Sequence, residues 1–293
     1  MAKARALDRR RRSVRNIRKI TRTMELIATA RFKKAMDRSV AARDYTKQLA
    51  KIMGNIAQAG ASVTHPLLAV RPTQRAAVLV LTGNRGLCGG YNSNVVRQSV
   101  ALLGQWKSER VAANVAVSGK RGISALKFRG VDIAETYTTF EDKPEFAAVA
   151  PIGQAYLAAY AAGEIDRLDV VYTRFHGIAK QEAVAEMLLP LAAPQASDAP
   201  AKAELASDAY DFYPSAETIL EEILPASFLS RLFKCFLDAA VSEQVARMVA
   251  MKAATENAGG LIKSLSRQYN RARQSQITGE IMEILGGVEA LKK

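Results

Sequence analysis

Two long segments at opposite ends of the chain contain almost no helix breakers, and this constrains the fold more than any other feature. Residues 7–58 contain no proline, and Gly54 is their only glycine. Apolar side chains in the first half of this segment recur at spacings of three, four and three: Ile17, Ile20, Met24 and Ile27. The stripe continues through the small residues Ala28 and Ala35 and resumes at Leu49, Ile52 and Ile56. Such spacing predicts one long helix, on the order of 70 Å, with an apolar seam facing another helix.

The helical pattern returns over about residues 215–285. We expect Pro225 to kink or restart this helix, because proline lacks the backbone N–H and clashes with the preceding turn. Its apolar positions are Val241, Val245, Met248, Ala258, Ile262, Leu265, Tyr269 and Ala272. Exposing either seam to water would be costly, and pairing the two segments antiparallel would cover both. The sequence therefore predicts a two-helix coiled coil between the chain ends.

The middle of the chain alternates between strand-like and helix-like segments. Strands are predicted at residues 76–81, 111–117, 131–138, 168–175 and 181–191, and helices at 92–103, 120–128 and 145–162. Alternation of this kind is typical of an α/β domain with a mostly parallel sheet. Residues 190–207 are rich in Ala, Pro, Ser and Asp and are predicted to form an exposed loop. The predicted divisions are 1–58, 73–207 and 208–293.

A glycine-rich segment, residues 83–90, follows the first strand and precedes a helix, as a nucleotide-binding loop would. The dinucleotide fingerprint Gly-x-Gly-x-x-Gly needs a glycine where Arg85 stands. The phosphate-loop pattern also fails, since Gly119-Lys120 is followed by Arg121 rather than Ser or Thr. A backbone turn or contact loop is favoured, and an α/β dinucleotide-binding enzyme stays open as an alternative.

The charge balance indicates an acidic partner. The chain has 42 Lys and Arg against 28 Asp and Glu, a formal net charge of +14. Arg9–Arg12 could follow nucleic-acid phosphates, which keeps a basic coiled-coil nucleic-acid binder as a second alternative. The same stretch has no interleaved aromatic side chains for base stacking, so a basic face that contacts protein is favoured over nucleic acid.

Other features predict no cofactor, metal or catalytic residue of this chain's own. His65 and His176 lie far apart and lack neighbouring ligands with metal spacing. Cys88 and Cys235 are too few for a disulfide framework, which indicates a reducing compartment. Neither a secretory signal nor a bilayer-spanning apolar run is visible. Any membrane association is therefore expected to be peripheral.

Four segments, in order along the chain, resemble the gamma subunit family of F-type ATP synthases. They are Arg12–Ala28, Arg85–Asn94, Ser242–Ala258 and Tyr269–Ile281. The resemblance implies an antiparallel coiled coil flanking a Rossmann-like α/β domain. It also implies a rotating central stalk that transmits torque, couples ion flow to ATP synthesis or hydrolysis, regulates both, and is not itself catalytic.

The implied partners are three alpha and three beta subunits around one such chain, an epsilon subunit and a ring of c subunits. The implied location is peripheral, on the cytoplasmic face of a bacterial inner membrane. No nucleic acid and no cofactor are implied. Excess Lys and Arg would face acidic levers on the beta subunits.

The resemblance also carries contact residues over to this sequence. Residues similar to those that meet the catch loops of beta are Arg273, Gln274, Thr278 and Glu280. Those on the first helix, near the levers of beta, are Arg18, Lys19 and Met24. Expected contacts with epsilon and the c ring are Arg85, Tyr210, Asp211, Phe212 and Tyr213. The sequence departs from the family pattern at Asn84 and Gly279, where Asp and Gln are expected.

Overall fold

The computed structural model describes residues 2–58, 65–140, 143–191 and 216–291. Its helices are α1 (Ala2–Gln58), α2 (Tyr91–Ser108), α3 (Lys120–Phe128), α4 (Phe146–Ala161) and α5 (Ala216–Leu291), with a short 3₁₀ helix at Pro66–Leu68. Its strands are β1 (Arg75–Leu81), β2 (Ala112–Ser118), β3 (Glu135–Tyr137), β4 (Arg167–Gly177) and β5 (Lys180–Leu189). Every predicted helix and strand is present, so the predicted order of elements is confirmed.

The five strands form one sheet in the order β3-β2-β1-β4-β5. The first four are parallel to their neighbours, whereas β5 runs antiparallel to β4. This order is that of a doubly wound, Rossmann-like sheet, and the predicted α/β fold class is confirmed. The third strand is shorter than predicted, with three residues in place of the predicted stretch 131–138.

Helices cover both faces of the sheet. One face packs against α4 and α5 through a core that includes Leu79, Val170, Tyr160, Leu224 and Phe228. The other packs against α2 and α3 through a core that includes Val78, Val117, Val95, Trp106 and Leu126. Burial on both faces explains why β1 is an unbroken apolar run rather than an alternating one.

An ion-pair network holds α5 against the antiparallel strand pair. The carboxylate of Glu186, on β5, accepts a 2.6 Å hydrogen bond from the hydroxyl of Tyr172 and a 2.7 Å bond from the guanidinium of Arg174. Arg231, on α5, donates to its second oxygen at 3.3 Å. Burial acts to raise the pKa of Glu186, but these bonds and charges outweigh it, so the pKa is lowered. The carboxylate is therefore stabilised as an anion.

The chain forms two compact units. One is Met1–Thr29 with Arg247–Lys293, and the other is Ala30–Ala246. The domain bounds predicted from sequence follow the long helices rather than these units, and they stay predictions. Helix α5 continues through Pro225 without a break, so a restart of the helix there is wrong, and a kink at Pro225 stays a prediction. Along the part of the chain described here, no helix is both long and apolar enough to cross a bilayer.

Candidate partner-binding surfaces

In the first unit the two chain ends pair antiparallel. The hydroxyl of Thr255 donates to that of Thr21 at 2.8 Å. Further along, the guanidinium of Arg11 lies 4.7 Å from the ring centroid of Tyr269. Contacts therefore move towards the C-terminus on α5 as they move towards the N-terminus on α1, which defines an antiparallel pair. The predicted pairing of the chain ends is confirmed.

Most side chains that line this pairing are not the predicted ones on α1. Its buried positions here are Thr21, Glu25 and Ala28. The predicted seam residues Ile17, Ile20 and Ile27 are 52%, 59% and 47% exposed, and Met24 is half-buried. The predicted seam is therefore wrong over Ile17–Ile27 by one position, which is about 100° around a helix. Its continuation at Ala28, Ala35 and Leu49 is buried as predicted. Small and polar side chains therefore line the pairing on α1, and an apolar strip lies on the outside.

On α5 the predicted seam fits better. Ala258 and Leu265 are buried, and Ile262, Tyr269 and Ala272 are half-buried. The inner surface of α1 also carries charge, since Glu25 is paired with Arg22 at 2.6 Å while its second oxygen lacks a hydrogen-bond partner in the described structure. Burying an acidic side chain in a helix pair costs stability and favours one register over others.

The first predicted set of beta contacts lies on α1 around the Thr21–Thr255 pair. Arg18 and Lys19 are exposed, and Arg18 passes about 4 Å from the position that a Cβ on Gly259 would occupy. At 3.6 residues per turn, Arg18 lies about 180° around α1 from Ile27, so the basic residues and the isoleucines occupy different sides of the helix. We call the apolar side, Ile17, Ile20, Met24 and Ile27, the outer strip.

The second predicted set begins at Arg273, 18 residues beyond Thr255 on α5, which is about 27 Å along an α-helix. Arg273, Gln274, Thr278 and Glu280 are all exposed on α5. Glu280 accepts a 2.8 Å hydrogen bond from Gln276 on its own helix. The structure thus places the two sets along the same helix pair but does not bring them together.

Arg273 lines a groove of about 510 Å³ between the two chain ends. The other residues that line it are Ala4, Arg5, Asp8, Arg9, Arg12, Tyr269, Gln276 and Ile277. Asp8 pairs with Arg11 at 2.6 Å and Arg12 at 2.7 Å. Desolvation acts to raise the pKa of Asp8, and the two arginines together lower it. The groove is therefore basic, since its one carboxylate, Asp8, is already paired with arginines of its own helix.

The glycine-rich loop occupies the carboxyl end of β1, where the side chains of Asn84 and Asn92 bond backbone amides of the loop and of α3. The amide of Gly83 donates to Asn92 Oδ1 at 2.9 Å, and that of Lys120 donates to Asn84 Oδ1 at 3.0 Å. A Cβ on Gly83 would lie 2.8 Å from the carboxylate of Glu243. Because these backbone amides already donate to side chains and a carboxylate lies beside them, phosphate binding is disfavoured. The contact-loop interpretation is therefore supported over a nucleotide site.

The loop also presents an exposed tip. Arg85 and Leu87 are both exposed, and Leu87 has a φ of 63°, which is unfavourable for a residue with a side chain. Tyr210, Asp211, Phe212 and Tyr213 lie outside the described residues. Strand β5 ends at Leu189 beside Leu168, at the amino end of the parallel strands, whereas Arg85 follows the carboxyl end of β1.

Two features of these surfaces were not found from the sequence. The Thr21–Thr255 pair gives no apolar signal, because both residues are polar. The alignment of Arg5, Arg9 and Arg12 with Arg273 joins residues more than 260 positions apart. Only the heptad spacing of Thr21, Ala28 and Ala35 could have indicated the inner face.

In this chain a Rossmann-like sheet lies in sequence between two chain ends that pair as helices, and basic and apolar residues are exposed on those helices. These features define a class of subunit that acts through extended contact surfaces. Comparisons with known proteins narrow this class. The family model described as ATP synthase matches residues 3–291. The ATP synthase gamma chain of Rhodopirellula baltica is 58% identical over 295 residues, covering 100% of both chains. That of Frankia casuarinae is 42% identical, covering 97% of this chain and 96% of its own.

The chain belongs to the ATP synthase gamma chain family. Solved structures agree on the fold. A chain in the Euglena gracilis mitochondrial ATP synthase (OSCP/F1/c-ring, rotational state 3) has a TM-score of 0.69 at 20% identity, covering 99% of this chain and 95% of that one. A chain from the rotor of the same synthase has a TM-score of 0.63 at 19% identity, covering 94% and 99%.

Proposed function

We propose that this chain is the rotating central-stalk subunit of an F-type ATP synthase. It transmits torque between ion flow through a membrane ring and the nucleotide sites of the surrounding subunits. A gamma chain is a non-catalytic subunit, and the complex as a whole is the enzyme. Family membership over the full chain and the fold shared with rotor structures support this role.

The observation that carries the proposal is the antiparallel pairing of the chain ends, fixed by the 2.8 Å Thr21–Thr255 contact. A shaft must resist twisting and bending. Two helices packed along a common seam do so better than one, because side-chain contacts between them add to the backbone hydrogen bonds within each.

The outer strip and the basic groove suit the contacts expected of such a shaft. Isoleucine side chains that are about half exposed offer apolar contact without a deep pocket, so no single angular position is held strongly. Arg18, Lys19 and Arg273 offer charge to acidic loops, an attraction that salt screens beyond about 8 Å. We propose the outer strip, together with Arg18 and Lys19, as the surface for the levers of beta, and Arg273, Gln274, Thr278 and Glu280 as the surface for its catch loops.

The remaining partners are part of the same proposal. We place the chain at the centre of a hexamer of three alpha and three beta subunits, with an epsilon subunit and a ring of c subunits at its other end. For Arg85 and for Tyr210, Asp211, Phe212 and Tyr213, the proposed partners are epsilon and the ring. The proposed location is the cytoplasmic face of a bacterial inner membrane.

A rotation assay tests the role directly. The two native cysteines, Cys88 and Cys235, are buried, so a cysteine introduced as Ala101→Cys on the exposed side of α2 gives one accessible label site. The chain is assembled with alpha and beta subunits fixed to glass, and a bead is attached through that cysteine. We expect ATP to drive unidirectional rotation that stops when ATP is withdrawn. An assembly that hydrolyses ATP while the bead stays still would overturn the proposal.

A further inference from the structure

We propose that the outward face of α3 is a docking surface for anionic phospholipid headgroups. We call Lys120, Ser124, Lys127, Phe128 and Arg129 the α3 face. The surface lies wholly in the unit Ala30–Ala246 and is separate from the outer strip and the basic groove. The inference goes beyond the proposed rotor role and does not depend on it.

The first observation is the exposure of Phe128. It is the last residue of α3, and 92% of its surface is open to solvent. Apart from Val70, at 84%, no other large apolar side chain described in this unit is more than 58% exposed. Transfer of a benzyl side chain out of water is favourable, so Phe128 is available for contact with an apolar environment.

The exposure is fixed by the turn that ends α3. The amide of Gly130 donates to the carbonyl of Lys127 at 3.0 Å, and that of Val131 donates to the carbonyl of Leu126 at 3.1 Å. Gly130 has a φ of 72°, the left-handed conformation that this helix end requires. Leu126 is buried and Val131 packs on the same core. Because these neighbours point inward, Phe128 is held outward by a rigid turn.

The second observation is the charge around this side chain. Residues 110–131 contain five Lys or Arg and no Asp or Glu, and the first acid after α3 is Asp132. Lys120 and Lys127 are exposed on the face. Arg129 bonds the carbonyl of Ala125 at 3.3 Å through one guanidinium nitrogen, which leaves its other donors directed elsewhere. The face is therefore cationic, with one apolar side chain projecting from it.

Anionic phospholipid headgroups match this combination. Lysine and arginine near an anionic surface gain attraction without a fixed geometry, and an aromatic ring can enter the layer between headgroups and acyl chains. A protein partner would instead need a socket shaped for the ring and acids placed for each cation. The α3 face is one helix wide and convex, which a fluid surface accommodates without shape complementarity.

The test uses the full chain and vesicles of phosphatidylglycerol or phosphatidylcholine. Trp106 is the only tryptophan and is buried, so a Phe128→Trp variant adds one exposed reporter. We expect its emission to shift to the blue with phosphatidylglycerol vesicles and not with phosphatidylcholine vesicles. The matched control is Ile178→Trp, because Ile178 is 57% exposed in the β4–β5 turn at the opposite edge of the sheet.

Affinity variants complete the test. Lys127→Glu and Phe128→Ser should each weaken vesicle binding by roughly tenfold. Lys180→Glu and Ile178→Ser, changes of the same kind at the opposite edge, should leave it unchanged. Unchanged emission of Phe128→Trp on a chain that still binds vesicles would assign binding to another basic segment, such as Arg9–Arg12, and would overturn the proposal. Loss of assembly with an acidic subunit in Phe128→Ser, without any vesicle binding by the parent chain, would assign the face to protein instead.

Discussion

Asn84 gives the sharpest prediction, because this sequence carries an amide where the family pattern has a carboxylate. Its Nδ2 donates to the carbonyls of Thr138 at 2.9 Å and Phe140 at 3.0 Å, while its Oδ1 accepts from the amide of Lys120. One side chain thereby joins the glycine-rich loop, the start of α3 and the segment after β3. An Asn84→Asp change keeps the accepting oxygen and removes both donors.

The structure allows the opposing effects to be weighed. Two lost hydrogen bonds cost about 1–3 kcal/mol together, and an anionic oxygen would face two carbonyl oxygens about 3 Å away. Against this, a carboxylate at the N-terminus of α3 gains about 0.3–1 kcal/mol from the helix dipole. The loss is larger, so Asn84→Asp should destabilise the domain by about 1–2 kcal/mol.

Urea unfolding followed by the emission of buried Trp106 measures this effect in the domain that contains it. With a slope of about 3 kcal/mol per molar, the midpoint should fall by roughly 0.5 M. Asn114→Asp is the matched control, since Asn114 is exposed on β2 and no side-chain hydrogen bond is described for it. Below about pH 4 a protonated carboxyl can donate one bond, so the difference should narrow. Equal or greater stability of Asn84→Asp at neutral pH, with the control neutral, would refute the two-donor assignment.

Three further predictions address the rest of the chain. Pairing lowers the pKa of Glu186, so the ionised side chain stabilises the folded state above the unfolded pKa of about 4.3, and this stabilisation is lost as the pH falls through the folded pKa. In urea unfolding at pH 7, Glu186→Gln should lower the free energy of unfolding by about 1–2 kcal/mol. An equal loss of stability at pH 3 would contradict this. Met24→Lys should lower the ratio of ion pumping to ATP hydrolysis in reconstituted membranes while leaving the thermal midpoint nearly unchanged, and an unchanged ratio would count against the outer strip. Thr21→Cys with Thr255→Cys should form a disulfide on mild oxidation, seen as a gel mobility shift, whereas Thr21→Cys with Arg271→Cys should not; the reverse pattern would break the proposed register.

Local patterns were sufficient to predict the elements and their order. The apolar run of β1, the glycines around it and the proline-free terminal segments act over a few residues, so their consequences can be predicted from neighbours in sequence. The lengths of the strands were predicted less well than their order. Strand β3 has only three residues, because it pairs with β2 alone at the edge of the sheet. Pro225 also sits inside α5, since a long, well-packed helix tolerates one missing hydrogen bond near its start.

The contact residues show a different limit. Motif similarity indicated Arg18, Lys19 and Arg273, and the structure leaves all three exposed on the paired helices. Motif similarity could not indicate the three hydrogen bonds of the Asn84 side chain, whose partners lie 36 to 56 positions away. Hydrogen bonds of this range depend on where the sheet places its loops, and a single sequence carries no separate signal for them.

The sequence by itself determined that each chain end is a helix with a heptad-like stripe, and that the two stripes require each other. Only the tertiary structure decided which stripe of α1 faces inward. Periodicity fixes the angles between positions on one helix but not the direction of its partner, so Ile17, Ile20 and Ile27 and the neighbouring Thr21, Glu25 and Ala28 are equally periodic. The inner stripe is the one in which Thr21 bonds Thr255 and the small side chain of Ala28 packs, and the isoleucines are left on the surface where we propose that a partner covers them.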